Sequence, residues 1–176
     1  MAPPDSHGKA PPSPWIERFA PLVSAGGTVL DVACGSGRHC ALFLGRGCHV
    51  VAIDRDVSRL PPSPGLEIIE ADLEQGTSLP TSERRFDAVV VTNYLYRPLL
   101  PALIEAVAPQ GLLLYETFAV GNERFGRPSN PNFLLKHGEL LNAVHGQLRV
   151  LAYEDITVEQ PSPAAVQRIA ARREAS

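Results

Sequence analysis

The run Val29-Leu30-Asp31-Val32-Ala33-Cys34-Gly35-Ser36-Gly37-Arg38-His39, with His49-Val50-Val51-Ala52-Ile53-Asp54 after it, decides the fold. An apolar stretch ends in a carboxylate, breaks into a loop of small residues and re-enters a helical pattern. The next apolar stretch also ends in a carboxylate. This is the pattern of a nucleotide crevice in an open α/β sheet. In a dinucleotide fingerprint the first glycine follows the strand directly, and the helix amino end faces a pyrophosphate. Here Asp31 stands four residues before Gly35, and Cys40 takes the place of the third glycine of G-x-G-x-x-G. A carboxylate beside the loop repels a pyrophosphate and suits a cationic nucleotide.

A third acid closes a third apolar run, in Glu70-Ala71-Asp72-Leu73-Glu74. Asp54, about 20 residues beyond the loop, is placed to accept both ribose hydroxyls. S-Adenosylmethionine, with its ammonium and sulfonium, is a nucleotide that three such carboxylates suit. The stretch resembles motif I of the Rossmann-like, S-adenosylmethionine-dependent methyltransferases, acid-x-G-x-G-x-G, with Ala33 where the first glycine usually sits. Alanine is tolerable there as long as the backbone does not need positive φ. The resemblance implies that the loop of Ala33, Cys34, Gly35 and Gly37 wraps the methionine end and that Asp31 accepts hydrogen bonds near the amino group. It also implies that Asp72 receives the adenine amino group and that the Leu73 amide faces the ring. Arg55 lies along the adenine face or in solvent.

At 176 residues the chain suits one domain that buries roughly 70% of its unfolded surface. The net charge of −3 argues against a surface for nucleic acid. No apolar run approaches the ~20 residues of a membrane span, and no charged-then-apolar segment opens the chain, so the expected location is cytoplasmic. Cys34, Cys40 and Cys48 lack C-x-x-C spacing, which predicts reduced packing thiols and no metal site.

Residues 1–14 carry five prolines and are expected to form a disordered leader, with residues 15–176 as a single domain. Apolar spacing predicts a short helix over 15–23 and strands over 28–33, 49–54, 66–71, 86–92, 112–117, 148–154 and 165–171. Further helices fit at 38–46, 99–108 and 138–144. Pro61, Pro62 and Pro64 shorten one crossover, and residues 74–80 read as loop in the next. The expectation is an α/β three-layer sandwich around a seven-stranded, mostly parallel Rossmann-like sheet, its last strand antiparallel, with reduced crossover helices. A bared sheet face offers a place for a second subunit, so monomer and homodimer both stand.

Ligands of such a sheet sit beyond the carboxyl ends of its strands. That places Asn93-Tyr94-Leu95-Tyr96-Arg97 beside the reacting centre, with Asn93 toward the cofactor and Tyr94, Tyr96 and Arg97 toward the acceptor. An Asn/Asp-Pro-Pro-aromatic motif is missing, so base methylation is not supported. The long segment 116–135 reads as a lid packed through Phe118, Phe125 and Phe133. Its Arg124 and Arg127 either bind an anionic group or pair with Glu116 and Glu123. Together with Lys136-His137-Gly138-Glu139-Leu140 and Tyr153-Glu154-Asp155, this segment resembles the small bacterial methyltransferases related to tellurite-resistance proteins.

The expected activity is in-line methyl transfer from S-adenosylmethionine to a small-molecule acceptor, driven by alignment. A thiolate or chalcogen oxyanion needs no base. An oxygen or nitrogen acceptor does, and Tyr94, Glu116 and His137 are the candidates. Two other readings stand. One is a non-catalytic S-adenosylmethionine-binding module, serving a partner or sensing role, with its acceptor face closed by side chains. The other is an NAD-dependent oxidoreductase, against which Asp31 and the missing third glycine count.

Overall fold

The computed structural model describes residues 10–175, so residues 1–9 of the expected leader lie outside the described residues. The strands are β1 Thr28–Val32, β2 His49–Asp54, β3 Leu66–Glu70, β4 Phe86–Thr92, β5 Val107–Phe118, β6 Arg149–Val158 and β7 Ala164–Arg172. They form one sheet in the order β3-β2-β1-β4-β5-β7-β6. Neighbours run parallel except at β7, which is antiparallel to both β5 and β6.

Period-two alternation builds the layers. Leu30, Val32, Val89 and Val91 face one side, under α3 (Leu100–Glu105) and α4 (Glu139–Val144). Val29, Val50 and Val90 face the other, under α1 (Pro14–Phe19) and α2 (Arg38–Gly45). No helix fills residues 55–65 or 71–85, as the prolines and polar residues there dictate. In consequence β3 stays half-covered, and Ile68 and Ile69 are only partly buried while the interiors of β1, β2 and β4 are dry. The expected helix over 99–108 is cut short at Glu105, because β5 begins at Val107 and carries the chain through Pro109 and Gly111.

The inner end of the proline-rich segment, at Pro11 and Ser13, is bonded to the rest of the fold. Ser13 is buried; its Oγ accepts from the Trp15 amide (3.2 Å) and so caps α1. The same hydroxyl donates to Glu116 Oε1 (2.6 Å), and the Ser13 amide donates to His39 Nε2 (3.0 Å). Arg38 adds a bond from Nη1 to the Pro11 carbonyl (2.9 Å). Burial, with the Arg38 charge, holds His39 down at about 4, so its ring is a neutral acceptor near pH 7.

Candidate active site

Beyond the carboxyl ends of β1 to β4 lies a cleft of about 340 Å³. Ala33 follows β1, Asp54 ends β2 and Arg55 follows it, Ala71 to Glu74 follow β3, and Tyr94 follows β4; Phe133 reaches in from the 119–138 segment. Ala33, Ala71 and Leu73 give it apolar walls. Asp54, Asp72 and Glu74 stand against Arg55 alone, so its field is negative.

The loop between β1 and α2 is built for close approach. Gly35 and Gly37 have φ of +56° and +80°. A side-chain carbon on Gly37 would meet Leu60 Cδ2 at 2.6 Å, whereas one on Gly35 would enter open space. Asp54 ties this loop to β2: its Oδ2 accepts from the Gly35 amide (2.8 Å) and its Oδ1 from the Asp56 amide (3.0 Å). Ala33 takes φ +52°, so the condition set for tolerating alanine is not met and a left-handed penalty of about 1–2 kcal/mol is stored here. Asn93, at the end of β4, has φ +54°, which its short polar side chain accommodates more readily.

Asp31 lies beneath the loop, 1% exposed, and is not part of the cleft wall. It accepts from Cys40 Sγ at 3.2 Å. Burial pushes its carboxyl up to about 7, against the pull of the Cys40 bond and the Arg38 charge. Hydrogen bonding with Cys34, then burial and the Asp31 charge, raise the Cys40 thiol far above its ordinary range. Cys34, Cys40 and Cys48 are all buried and unbridged. Asp72 is exposed, and bonds from Gln75 Nε2 (2.9 Å) and the Glu74 amide (3.0 Å) hold it below the usual carboxylate range.

A second cleft, of about 300 Å³, adjoins the first. Asn93, Tyr94 and Leu95 follow β4, Thr117 and Phe118 come from β5, and Pro128 and Phe133 from the following segment. Glu74, Tyr94 and Phe133 line both clefts. The Tyr94 hydroxyl is buried and has no hydrogen-bond partner among the described residues. Burial first, then the Glu74 charge, push it up to about 12, so it stays a neutral donor.

The remaining sequence-predicted residues are committed elsewhere. Glu116 accepts from Ser13 and from Arg168 Nη1 (2.8 Å), and His137 is exposed beside Asp155 (2.8 Å). Tyr96 packs half-buried against the core and leads into a tight turn at Arg97–Leu99. Arg97 grips Glu139 through Nε (2.6 Å) and Nη2 (2.9 Å), and its guanidinium donates to the Asn132 and Leu134 carbonyls (2.9 and 2.8 Å). It thereby fixes the turn Pro131–Phe133 that carries Phe133. Arg124 Nε donates to the Gly121 carbonyl (3.1 Å) and its guanidinium covers Phe125, while Arg127 is exposed and lines neither cleft. Neither arginine lines a cleft, and neither forms an ion pair with Glu116 or Glu123 among the described residues. Glu74, Thr117 and Pro128 went unnoticed in the sequence; only Glu74, two residues past a strand-end acid, left a readable signal.

Among the described residues no His, Cys, Asp or Glu cluster could hold a metal ion, and no helix is long and apolar enough to cross a membrane.

A sequence family described as "Methyltransferase domain" matches residues 5–149. The fold is similar to that of TehB from Haemophilus influenzae, with a TM-score of 0.73 at 17% identity, covering 90% of this chain and 61% of that one. It is also similar to an S-adenosylmethionine-dependent methyltransferase from Mesorhizobium loti, with TM-score 0.69, 17% identity and coverage of 89% and 96%. A third is Burkholderia thailandensis 1,6-didemethyltoxoflavin-N1-methyltransferase, solved with 1,6-didemethyltoxoflavin and S-adenosylhomocysteine bound; the TM-score is 0.64 at 16% identity, with 92% and 79% covered. None of the curated proteins matches the chain in sequence. At these identities the structural likeness is one of fold.

Proposed function

Since the chain belongs to the methyltransferase-domain family, with S-adenosylmethionine as its cofactor, we propose that it transfers a methyl group in line to a small molecule held in the second cleft. One observation carries the reading: two clefts at the strand ends adjoin and share Glu74, Tyr94 and Phe133. The residues present fit the cofactor, because the first cleft is negative, has apolar walls and is lined by Asp54, which holds the amide of Gly35, a glycine at which added carbon would meet only space. When bound, S-adenosylmethionine supplies an electrophilic methyl carbon on a cationic sulfur.

In this reading Asp54 accepts from the ribose hydroxyls with the lone pairs its loop bonds leave free. Asp72 and the Leu73 amide hold the adenine, and Arg55 flanks it. Asp31, beneath the loop and outside the cleft wall, supports the loop by accepting from Cys40. Asn93 and the neutral Tyr94 hydroxyl fix polar atoms where the clefts meet. Alignment within such a site contributes several kcal/mol to the rate. A binding-only module would have a closed acceptor face, and the open second cleft favours catalysis. The Burkholderia enzyme's small-molecule acceptor supports the same class.

The test is incubation with methyl-labelled cofactor and a panel of thiols, tellurite, small acids and heteroaromatic amines. Labelled product from at least one compound is expected. Cofactor binding without transfer to any of them would leave the binding-module reading in its place.

A further inference from the structure

We infer that the acceptor is a flat heteroaromatic N–H compound, neutral or cationic, held against Phe118 and Phe133 with its N–H turned to Glu74. This rests on the second cleft being the acceptor site. Phe118, Pro128 and Phe133 make its walls apolar, and Glu74 is its one charged lining residue. Glu74 takes part in none of the ion pairs among the described residues. An anion placed here loses water and meets a carboxylate, and the cleft's own lining offers no cation: Arg55 lines only the first cleft, and Arg97 and Arg124 are spent on holding the loop. Aromatic walls favour flat rings, and beside a carboxylate they favour positive or N–H-bearing ones. The unpartnered Tyr94 hydroxyl supplies one donor for a second polar atom of the ring.

The chemistry balances without any further reactant. The acceptor nitrogen forms its new bond to carbon with its lone pair while the carbon–sulfur bond breaks, its pair staying on sulfur. The N–H proton passes to a Glu74 oxygen and from there to solvent, which the exposed side chain reaches. Glu74 thus takes the role of base that Glu116 and His137 are too far committed to fill.

The experiment compares two probes of one shape and opposite charge, 4-aminoquinoline and quinoline-4-carboxylate, titrated by calorimetry into protein saturated with S-adenosylhomocysteine. The amine is expected to bind at least about tenfold more tightly, Glu74→Gln to narrow that preference to within about threefold, and Phe133→Ala to weaken both probes about tenfold. Equal or tighter binding of the carboxylate, or an undiminished preference in Glu74→Gln, overturns the inference. Saturation with S-adenosylhomocysteine is measured first. Failure there overturns the proposed function and this inference with it, whereas saturation without charge preference overturns the acceptor class alone.

Discussion

Asp31→Asn separates the electrostatic cost of the buried acid from its packing. The carboxyl is 1% exposed and is pushed from its ordinary 3.8 up to about 7, chiefly by burial. Between those values the folded chain holds one proton more than the unfolded chain. Stability is therefore greatest below 3.8, falls as pH rises and levels off above about 7. At about 1.4 kcal/mol per unit the full loss is about 4 kcal/mol, of which some 2–3 kcal/mol falls between pH 5 and 8. His39 works in the opposite sense: it is held at about 4, so it contributes stability above 6.5 that is lost as pH falls. That contribution cancels when variant and wild type are compared at each pH. Asparagine keeps an acceptor for Cys40 Sγ, and any cost of its amide is independent of pH. Urea unfolding at pH 5, 6, 7 and 8 is expected to show Asp31→Asn gaining about 2–3 kcal/mol on wild type across the series. Parallel curves would refute the raised carboxyl.

Three further substitutions test the architecture around the clefts. Ala33→Gly relieves the left-handed residue but loosens the unfolded chain, for a net gain of roughly 0.5–1 kcal/mol and a Tm higher by a few degrees; a lower Tm contradicts it. Arg97→Ala frees the turn bearing Phe133, costing about 1–3 kcal/mol and speeding proteolysis in residues 120–135, and lysine fails to restore a forked contact of this kind. Unchanged proteolysis would place the anchoring of that turn elsewhere. Ser13→Ala removes the α1 cap and the Glu116 contact, lowering stability by about 1–2 kcal/mol in thermal melts, and a neutral effect would dismiss the clasp.

The first five strands were legible because they are mostly continuous apolar runs, the first three with an acid at or next to the end, and the missing crossover helices because proline and glycine forbid them. Ala33 shows where reading stops: composition carries no φ, and only the path of the loop off β1 reveals the left-handed turn. Ser13 looked like part of a loose segment since its partner Glu116 lies 103 residues away. Arg97 looked free for an acceptor since Glu139, 42 residues on, could not be placed against it. Glu74 and Phe133 meet only after the long segment folds back over the strand ends, a juxtaposition that depends on tertiary closure.

The most direct measurement is calorimetric titration of wild type and Asp54→Ala with S-adenosylhomocysteine and, separately, NAD. One S-adenosylhomocysteine per chain, no heat from NAD and at least about tenfold weaker binding in Asp54→Ala are predicted. No heat from S-adenosylhomocysteine, or an affinity indifferent to Asp54, would contradict the assignment of the cleft.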